Sequence, residues 1–367
     1  MKKKKILFII WSFTYGGGAE RVLATLANAM PKDKYEIDIL EYWHANVGDE
    51  KLDSNVTLLP PVVNSLKEGK IRRVLKMFLL YHIPSILRKK YIKKEYDVYI
   101  SFNYMIPTFL LPKNKFTISW IHGDIYDLKN NRYNRNKQMK SLKEVNTIVA
   151  ISENTYKSIV DVYPCYKDKV VIINNSYNFD KILAMGNLYK VEKKKNKKYL
   201  LFMGRYEDNK NPLYLLEVLK RIKDIDYQMI YMGRGELKDI LISKISEYGL
   251  DDKITVLDYQ KNPYPYIKNA DIILGSSKSE GFPTTFVEGM IFAKPFISTV
   301  VGGVKELSNN SKCGFVCKDI DEYYQKLVLL LTDDKLYQKM SKDCLIYVKK
   351  YSCTNQVKEL EKLLNNM

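Results

Sequence analysis

The sequence predicts an α/β protein built from two doubly wound domains in series. Apolar strand-like runs alternate with helical segments from residue 5 onward, and the same alternation starts again at residue 199. This pattern is typical of parallel sheets whose crossover connections are helices. With 367 residues, the chain is also too long for one ordinary hydrophobic core, and its length suits two domains.

The first domain is predicted over residues 1–178. It begins with a buried strand at 5–10, and a helix follows at 19–30 with apolar residues at helical spacing. Further strands are predicted from the apolar runs at 97–101, 116–121, 147–151 and 170–173. The segment 193–198 is almost entirely lysine and cannot pack in a core. We therefore predict a linker at 179–198.

The second domain is predicted over residues 199–350. Its helix at 212–222 begins with a proline, whose missing N–H costs nothing at that position. Strands are predicted at 199–203, 227–232, 254–257, 272–274 and 295–300, and closing helices at 321–331, 334–350 and 355–364. We expect the terminal segment, 351–367, to be a helix that packs back on the first domain.

Charge and cysteine content narrow the class of protein. The chain carries 60 Lys and Arg against 42 Asp and Glu, which favours polyanionic partners such as nucleic acid, an anionic membrane or phosphorylated substrates. No nucleic-acid-binding signature is present, so we expect no nucleic-acid partner. The absence of a membrane-length apolar run or a secretory leader predicts a cytoplasmic protein. Five cysteines without a CxxC pair and only three histidines predict neither disulfides nor a metal site.

Two acidic residues mark the strongest candidate site. Glu280 lies in a turn that follows the apolar run 271–274, and Glu288 lies near the start of the helix predicted at 286–293. A strand-to-helix turn of this kind lies at the carboxyl edge of the sheet, where the N–H groups of the helix favour a phosphate. Ionised carboxylates accept hydrogen bonds, so we assign this pair to sugar or ribose hydroxyls in one crevice.

Basic residues follow the first strand of the second domain. Arg205 and Lys210 emerge at the same carboxyl edge as the acidic pair. Arginine can bind two phosphate oxygens at once, and lysine supplies a compact charge. These two residues therefore predict a diphosphate site.

A glycine run lies between the first strand and the first helix. Gly16, Gly17 and Gly18 permit close approach of the backbone to a ligand. The dinucleotide fingerprint requires a further glycine where the chain has Arg21, although Glu41 stands near the end of the second strand. An NAD-dependent oxidoreductase or a sugar-nucleotide epimerase thus remains an alternative, and it predicts a different second domain. A nucleic-acid-binding protein is the second alternative.

Taken together, these motifs resemble a known family, the retaining glycosyltransferases of the GT-B fold in group four. The resemblance covers nearly the whole chain. The acidic pair with seven residues between its members is its most specific motif, and it is supported by Gly16 to Arg21, Val149 to Glu153, Ile172 to Asn175, Gly204-Arg205, Lys210 to Pro212, and Gly233 with Gly235. Departures from the family pattern are Asn175, where glycine is common, and Gly302.

The resemblance implies a fold and a division of labour. Two Rossmann-like domains face a central cleft; the second binds a nucleotide sugar, UDP-linked, and the first binds the acceptor. Arg205 and Lys210 would hold the diphosphate, Glu288 the ribose and Glu280 the sugar hydroxyls. The implied donor-binding set also contains Gly16, Gly17, Gly18, Gly233, Gly281, Phe282, Pro283, Thr284 and Thr285, and His122 would lie against the donor sugar.

The resemblance also implies transfer with retention, without a protein nucleophile. The leaving phosphate, stabilised by fixed cations and a helix end, would take the acceptor's proton. Because those cations replace a divalent ion, neither a metal nor any other cofactor is expected.

One basic and apolar segment predicts a membrane surface. Residues 67–94 are predicted to be helical, with basic residues on both sides of the apolar stretch 74–87, which is too short to span a bilayer. We assign Arg72, Arg73, Lys76, Arg88, Lys89 and Lys90 to the anionic inner leaflet of the plasma membrane. The acceptor would then be a polyprenyl-diphosphate-linked sugar. A core helix with solvated basic ends is the alternative.

Overall fold

The computed structural model describes residues 3–15, 18–48, 50–103, 105–126, 132–194 and 197–365. The chain forms two compact units. The first comprises Met1–Tyr177 and Cys353–Met367, and the second comprises Asn178–Ser352.

The first unit is built on a parallel sheet. Its strands run in the order β4-β2-β1-β6-β7-β8-β9, and the short strands β3 and β5 form a separate pair. The elements are β1 (Lys4–Ile10), α1 (Gly18–Ala29), β2 (Tyr35–Glu41), β3 (Trp43–His44), β4 (Val56–Leu58), β5 (Val63–Asn64), α2 (Lys70–His82), α3 (Pro84–Tyr91), β6 (Val98–Ser101), β7 (Phe116–Ile121), α4 (Arg132–Leu142), β8 (Thr147–Ala150), α5 (Glu153–Val162) and β9 (Val170–Ile172).

The second unit repeats this architecture. Its sheet has the order β12-β11-β10-β13-β14-β15, and every pairing is parallel. The elements are α6 (Phe179–Met185), β10 (Lys198–Met203), α7 (Pro212–Arg221), β11 (Tyr227–Gly233), α8 (Lys238–Glu247), β12 (Ile254–Asp258), α9 (Tyr264–Asn269), β13 (Ile272–Gly275), α10 (Thr284–Ile291), β14 (Phe296–Thr299), α11 (Val304–Ser308), β15 (Gly314–Cys317), α12 (Ile320–Thr332) and α13 (Asp334–Tyr347).

The strand orders fix where ligands bind. In each sheet the first strand lies between the second and the fourth main strand, which is a doubly wound order. The connections leave in opposite directions at this point, so a crevice opens at the carboxyl ends of the central strands. In the second unit these strands are β10 and β13, which pair through Leu200–Phe202 and Ile272–Leu274.

The last helix, α14 (Cys353–Asn365), belongs to the first unit. It packs against α1, and the main-chain N–H of Cys353 donates to Tyr177 O at 2.9 Å. At its far end, the ammonium of Lys4 donates to Leu364 O at 2.7 Å, and Glu361 pairs with Lys34 at 3.1 Å. These contacts join the end of the chain to the first sheet.

Two sequence predictions require correction. The segment 179–198, predicted as a linker, contains α6 and ends on the first residue of β10, so it is part of the second unit. The helical region predicted at 67–94 is two helices, because Pro84 excludes helical geometry at the preceding residue. Ile83 accordingly has φ −138° and ψ 60°.

Candidate functional site

The site in the second unit centres on an ion pair. Lys210 lies at the end of the loop after β10, and its ammonium contacts the Glu280 carboxylate in the loop after β13. The same carboxylate oxygen accepts a hydrogen bond from Ser277 Oγ at 2.7 Å. Both charged side chains are partly exposed, so a ligand can reach them.

The two loops are fastened to each other by hydrogen bonds. Asn209 joins them in both directions: its carbonyl accepts from the Lys278 N–H at 2.8 Å, and its side-chain amide donates to Ser279 O at 3.2 Å. Ser276 Oγ donates to Lys210 O at 2.9 Å. The backbone positions of Lys210 and Glu280 are therefore fixed by contacts that do not involve their charged groups.

A cavity of about 90 Å³ lies beside this ion pair. It reaches the start of α10, where the N–H groups of Thr284 and Thr285 have no acceptor within the helix and favour an anion. From the predicted donor-binding set, the structure brings together Lys210, Glu280, Phe282, Pro283, Thr284 and Thr285 around it. Sequence reasoning missed Ser277 and Ser298, which also line the cavity.

Arg205, Gly281 and Glu288 are not among the lining residues. The Arg205 side chain is 66% exposed, and its guanidinium pairs with Glu207 at 2.9 Å. Glu288 is the fifth residue of α10, near the first turn of the helix as predicted, and only 4% of it is exposed. Tyr264 Oη donates to its carboxylate at 3.2 Å.

Two glycines of the second unit are required by packing. A Cβ at Gly233 would lie 1.8 Å from the main-chain oxygen of Gly204, so only glycine permits β11 to approach the loop that carries Arg205. Gly303 has φ +72°, and a Cβ there would meet the Phe282 ring at 2.7 Å. Both glycines thus shape the loops around the site.

His122 lies in the first unit, directly after β7. Its ring contacts Phe102, with the centroids 4.6 Å apart, and lies parallel to Trp120 at 6.5 Å. Burial lowers the pKa of His122 to about 4, although a hydrogen bond with the main chain of Phe102 acts in the opposite direction. Within the described residues, its buried Nε2 has no hydrogen-bond partner. The imidazole is therefore neutral at physiological pH.

The structure describes one residue of the glycine run, and it shows that Glu41 is buried. Gly16 and Gly17 lie outside the described residues, and Gly18 is the first residue of α1. Glu41 is only 1% exposed, and its Oε2 accepts from the N–H groups of Phe13 at 2.9 Å and Thr14 at 3.1 Å. Because its carboxylate is buried and bonded within the first unit, Glu41 is not exposed to a ribose, which argues against the dinucleotide alternative.

Some of the basic residues assigned to a membrane contact other parts of the protein. Lys76 faces inward: its ammonium pairs with Glu68 and donates to Val62 O, both at 2.6 Å. Arg88 donates to Leu111 O at 3.0 Å, and desolvation lowers its pKa. Arg73 lies over the Trp43 ring at 5.6 Å. The prediction that all of the assigned cations face lipid is thus wrong for Lys76 and Arg88, because the protein itself uses them.

The same two helices, α2 and α3, carry an exposed apolar surface. Exposed large apolar side chains cover one side of α2 and continue onto α3; they are Ile71, Val74, Leu75, Phe78, Ile83 and Ile86. The exposed cations around them are Lys70, Arg72, Lys89 and Lys90. We call this set of residues the α2–α3 surface. Among the described residues, no helix is long and apolar enough to cross a bilayer.

Within the described residues, no three His, Cys, Asp or Glu side chains are grouped so that they could hold a metal ion.

Two known families match the sequence. The family described as "Glycosyl transferases group 1" matches residues 187–344, and "Glycosyltransferase Family 4" matches residues 16–181. Together the matches span most of the chain and correspond to the second and the first unit.

Curated relatives match over most of their length. One from Campylobacter jejuni is 27% identical over 92% of this chain and 91% of its own; it is GalNAc-alpha-(1->4)-GalNAc-alpha-(1->3)-diNAcBac-PP-undecaprenol alpha-1,4-N-acetyl-D-galactosaminyltransferase. A second from the same organism is 26% identical over 87% of this chain and 88% of its own; it is N-acetylgalactosamine-N,N'-diacetylbacillosaminyl-diphospho-undecaprenol 4-alpha-N-acetylgalactosaminyltransferase.

The fold is also similar to solved structures. The crystal structure of HepE from Anabaena in complex with UDP superposes with a TM-score of 0.75 at 15% identity, over 99% of this chain and 100% of that one. At this level of identity the similarity concerns the fold.

Proposed function

Because the chain belongs to the glycosyltransferases of group 1 and family 4, we propose that it moves a hexosyl or N-acetylhexosaminyl group from a UDP-linked sugar to a polyprenyl-diphosphate-linked glycan, with retention of configuration. Such a step serves the assembly of surface polysaccharide or another glycan. The observation that carries the proposal is the pair of Lys210 and Glu280 beside the cavity at the start of α10. A cation suited to a diphosphate and a carboxylate suited to sugar hydroxyls meet there.

The diphosphate of the donor binds at the start of α10. The N–H groups of Thr284 and Thr285 and the ammonium of Lys210 offer it donors and positive charge. Arg205, on the same loop as Lys210, exchanges Glu207 for a phosphate oxygen when the donor is present. Lys210 makes a similar exchange, since its ammonium leaves Glu280 for the phosphate and frees that carboxylate for the sugar hydroxyls.

The remaining donor contacts follow the family pattern. Glu288 accepts a hydroxyl of the ribose, and Tyr264 orients its carboxylate through their hydrogen bond. His122 lies against the donor sugar and acts as a neutral hydrogen-bonding group, because the low pKa given by burial leaves it uncharged. Gly16, Gly17 and Gly18 approach the diphosphate through their main chain.

The reaction uses the leaving phosphate as the base. As the bond between sugar and phosphate breaks, negative charge develops on the phosphate oxygen, and Lys210, Arg205 and the helix end stabilise it. The acceptor hydroxyl attacks from the same face and gives its proton to that oxygen. Retention follows without a covalent enzyme intermediate, and no divalent ion is needed.

The lipid-linked acceptor is inferred from the relatives. Both Campylobacter jejuni enzymes bear names that specify an undecaprenyl-linked acceptor and transfer of N-acetylgalactosamine. An acceptor of this kind stays in the membrane, so the enzyme must work at its surface. We therefore place the protein on the cytoplasmic face of the plasma membrane.

The α2–α3 surface is suited to that position. In α2, Ile71, Val74, Leu75 and Phe78 recur every three or four residues, which aligns them on one side of the helix. They face outward, whereas Lys76 and the buried Leu80 face inward, so α2 carries a second, exposed apolar side. Apolar side chains surrounded by exposed cations match an anionic bilayer, where the apolar groups enter the interface and the cations meet lipid phosphates.

Nucleotide protection tests the donor assignment. UDP is expected to raise the melting midpoint of the protein because it binds the folded state alone, whereas NAD is expected to leave the midpoint unchanged. Lys210→Ala should reduce the UDP shift. Protection by NAD without protection by UDP would favour the oxidoreductase or epimerase alternative and reject the proposal.

A further inference from the structure

Ser298 carries a buried hydroxyl that the proposed reaction does not use. The residue lies in β14 and is only 1% exposed, and it lines the cavity beside Lys210 and Glu280. Its hydroxyl makes no hydrogen bond with the part of the chain that the structure describes. By contrast, the hydroxyls of Ser276 and Ser277 both donate to protein acceptors, at 2.9 and 2.7 Å. Because an unpaired buried hydroxyl costs free energy, Ser298 is suited to a ligand group that enters the cavity.

The side chain of Ser298 faces the start of α10. Side chains alternate across a strand, so Ser298 lies on the same face of the sheet as Phe296, whose ring stacks on that of Phe286 with the centroids 4.3 Å apart. The neighbouring residue on β13 is Gly275, where a Cβ would lie 2.5 Å from the Phe286 ring. Neither strand therefore places a bulky side chain beneath the first turn of α10, and the cavity lies there with Ser298 in its wall.

The size and lining of the cavity limit what can enter it. Its volume of about 90 Å³ is close to the liquid volume of roughly three water molecules, so a sugar hydroxyl, about the size of one water, leaves most of it empty. Apolar residues line it besides the serines, among them Leu274, Phe282 and Phe286. In the proposed reaction Lys210 pairs with the diphosphate, so the Glu280 carboxylate remains beside the cavity and opposes an anion there. The group that fits is neutral and partly apolar.

We propose that the cavity receives the acetamido group of an N-acetylhexosaminyl donor and that Ser298 Oγ donates a hydrogen bond to its carbonyl oxygen. The inference rests on the proposed function, and it narrows the donor to the N-acetylated class. An acetamido group is neutral, its amide and methyl groups fill space that a hydroxyl leaves empty, and the methyl group suits the apolar lining. A plain hexose leaves Ser298 unpaired, and a site with an unpaired buried polar group discriminates against the ligand that lacks the matching group.

The experiment measures donor affinity without an acceptor, so that no turnover is required. Isothermal titration calorimetry of the wild type compares UDP, UDP-N-acetylglucosamine, UDP-N-acetylgalactosamine, UDP-glucose and UDP-galactose. We expect at least one N-acetylated donor to bind about tenfold tighter than its hexose counterpart. UDP lacks the sugar and serves as the reference for the contacts that the nucleoside and the diphosphate make.

Two changes at Ser298 test its role, and a third serine is the control. Ser298→Ala should weaken binding of the N-acetylated donor about three- to tenfold, the effect of one hydrogen bond, and leave the affinities for UDP and the hexose donor unchanged. Ser298→Val should weaken the N-acetylated donor further, because its methyl groups occupy space meant for the acetamido group. Ser308 is 4% exposed, donates to Lys305 O at 2.8 Å and is not among the lining residues. Ser308→Ala should therefore bind every donor as the wild type does.

The other outcomes separate this inference from the function on which it rests. If the wild type binds UDP but binds neither N-acetylated donor tighter than its hexose counterpart, the cavity is not an acetamido pocket. If Ser298→Ala leaves the preference unchanged, or weakens UDP as much as the N-acetylated donor, Ser298 does not contact the sugar. A wild type that binds neither UDP nor any of the four sugar nucleotides would instead reject the proposed function, and the pocket would be rejected with it.

Discussion

The candidate site depends on two residues, Lys210 and Glu280, which the sequence analysis had already singled out. The spacing of Glu280 and Glu288 is visible in the sequence, and Lys210 was predicted from its place after a strand. The sequence placed both residues at one carboxyl edge of the sheet. Their direct contact was not predicted, because it depends on the pairing of β10 with β13, and the two residues are 70 positions apart in the chain. The burial of Glu288 and the hydrogen bond from Tyr264 depend on the same kind of long-range packing.

We predict that Lys210→Ala and Glu280→Gln each lower kcat/KM by about two orders of magnitude or more. Under the proposed function, each change removes a charged contact with the donor, and such a loss costs about 2 to 4 kcal/mol of transition-state stabilisation. The melting midpoint should change little because both side chains are partly exposed. Steady-state kinetics with the true donor measure the effect.

Lys278→Ala is the matched control for these variants. Lys278 lies in the same loop as Glu280, and its ammonium pairs with Asp208 at 2.5 Å on the surface. We expect wild-type kinetics from it. Wild-type rates in Lys210→Ala or Glu280→Gln would remove that residue from the site.

His122 gives a prediction about pH. The folded protein holds the pKa of His122 at about 4, below the ordinary 6.5, so between these values the unfolded chain binds more protons. The stability contributed by neutral His122 is therefore complete above pH 6.5 and is lost as the pH falls toward 4, by at most about 1.4 kcal/mol per pH unit. Urea unfolding of wild type and His122→Asn across this range should show the wild type losing more stability. Parallel curves would contradict the burial of a neutral imidazole.

At the scale of elements, local pattern predicted the central strands and the turns after them. It did not predict the short strands β3, β4, β5 and β15, whose runs carry little periodicity. It also predicted that Lys76 and Arg88 face outward, which is wrong for both side chains. Lys76 looked solvated in the sequence, but it faces inward because Glu68 and Val62 O satisfy its ammonium. Partners supplied by tertiary structure cannot be derived from helical periodicity.

We predict that the α2–α3 surface docks the protein on anionic vesicles. In liposome flotation the wild type should float with vesicles that contain phosphatidylglycerol at low salt and detach at high salt. Two variants should stay at the bottom. The first changes Arg72, Lys89 and Lys90 to Glu and removes the attraction, worth roughly 1 kcal/mol per cation near the leaflet. The second changes Ile71, Val74 and Phe78 to Ser and removes the apolar contact.

The control for the flotation experiment changes three basic residues to Glu on a different helix, α13. Lys335, Lys339 and Lys342 are exposed residues of α13, and their change to Glu should leave flotation intact. If this variant and the α2–α3 variants lose flotation equally, net charge explains the binding and the surface is not the docking site. A wild type that stays at the bottom at low salt would favour a soluble acceptor.

At the scale of the whole molecule, the repeat of one sheet topology in both units was predictable because the strand and helix pattern occurs twice. The return of α14 to the first unit has a physical cause in its buried residues Val357, Leu360 and Leu364. The position of α6 in the second unit was missed because the lysines after it suggested an exposed linker. A run of charged residues indicates that a segment is exposed, but it does not indicate the domain to which the segment belongs.

We predict that transfer continues in excess EDTA. In the proposed mechanism, Lys210, Arg205 and the start of α10 supply the positive charge that a divalent ion supplies in other transferases, so chelation should leave the rate unchanged within about twofold. The rate of donor consumption with the acceptor present measures this. Complete loss in EDTA that magnesium or manganese restores would contradict the assignment of those cations.

The most direct test is the identity and configuration of the product. The wild type is incubated with UDP-α-linked hexoses and N-acetylhexosamines and with a polyprenyl-diphosphate-linked sugar, and the glycan is released and analysed by NMR. We expect one donor to yield a lengthened, lipid-linked glycan whose new linkage is α, and Glu280→Gln to form far less of it. A β linkage would contradict retention, and the absence of any lengthened glycan with every donor would contradict transfer to a lipid-linked acceptor.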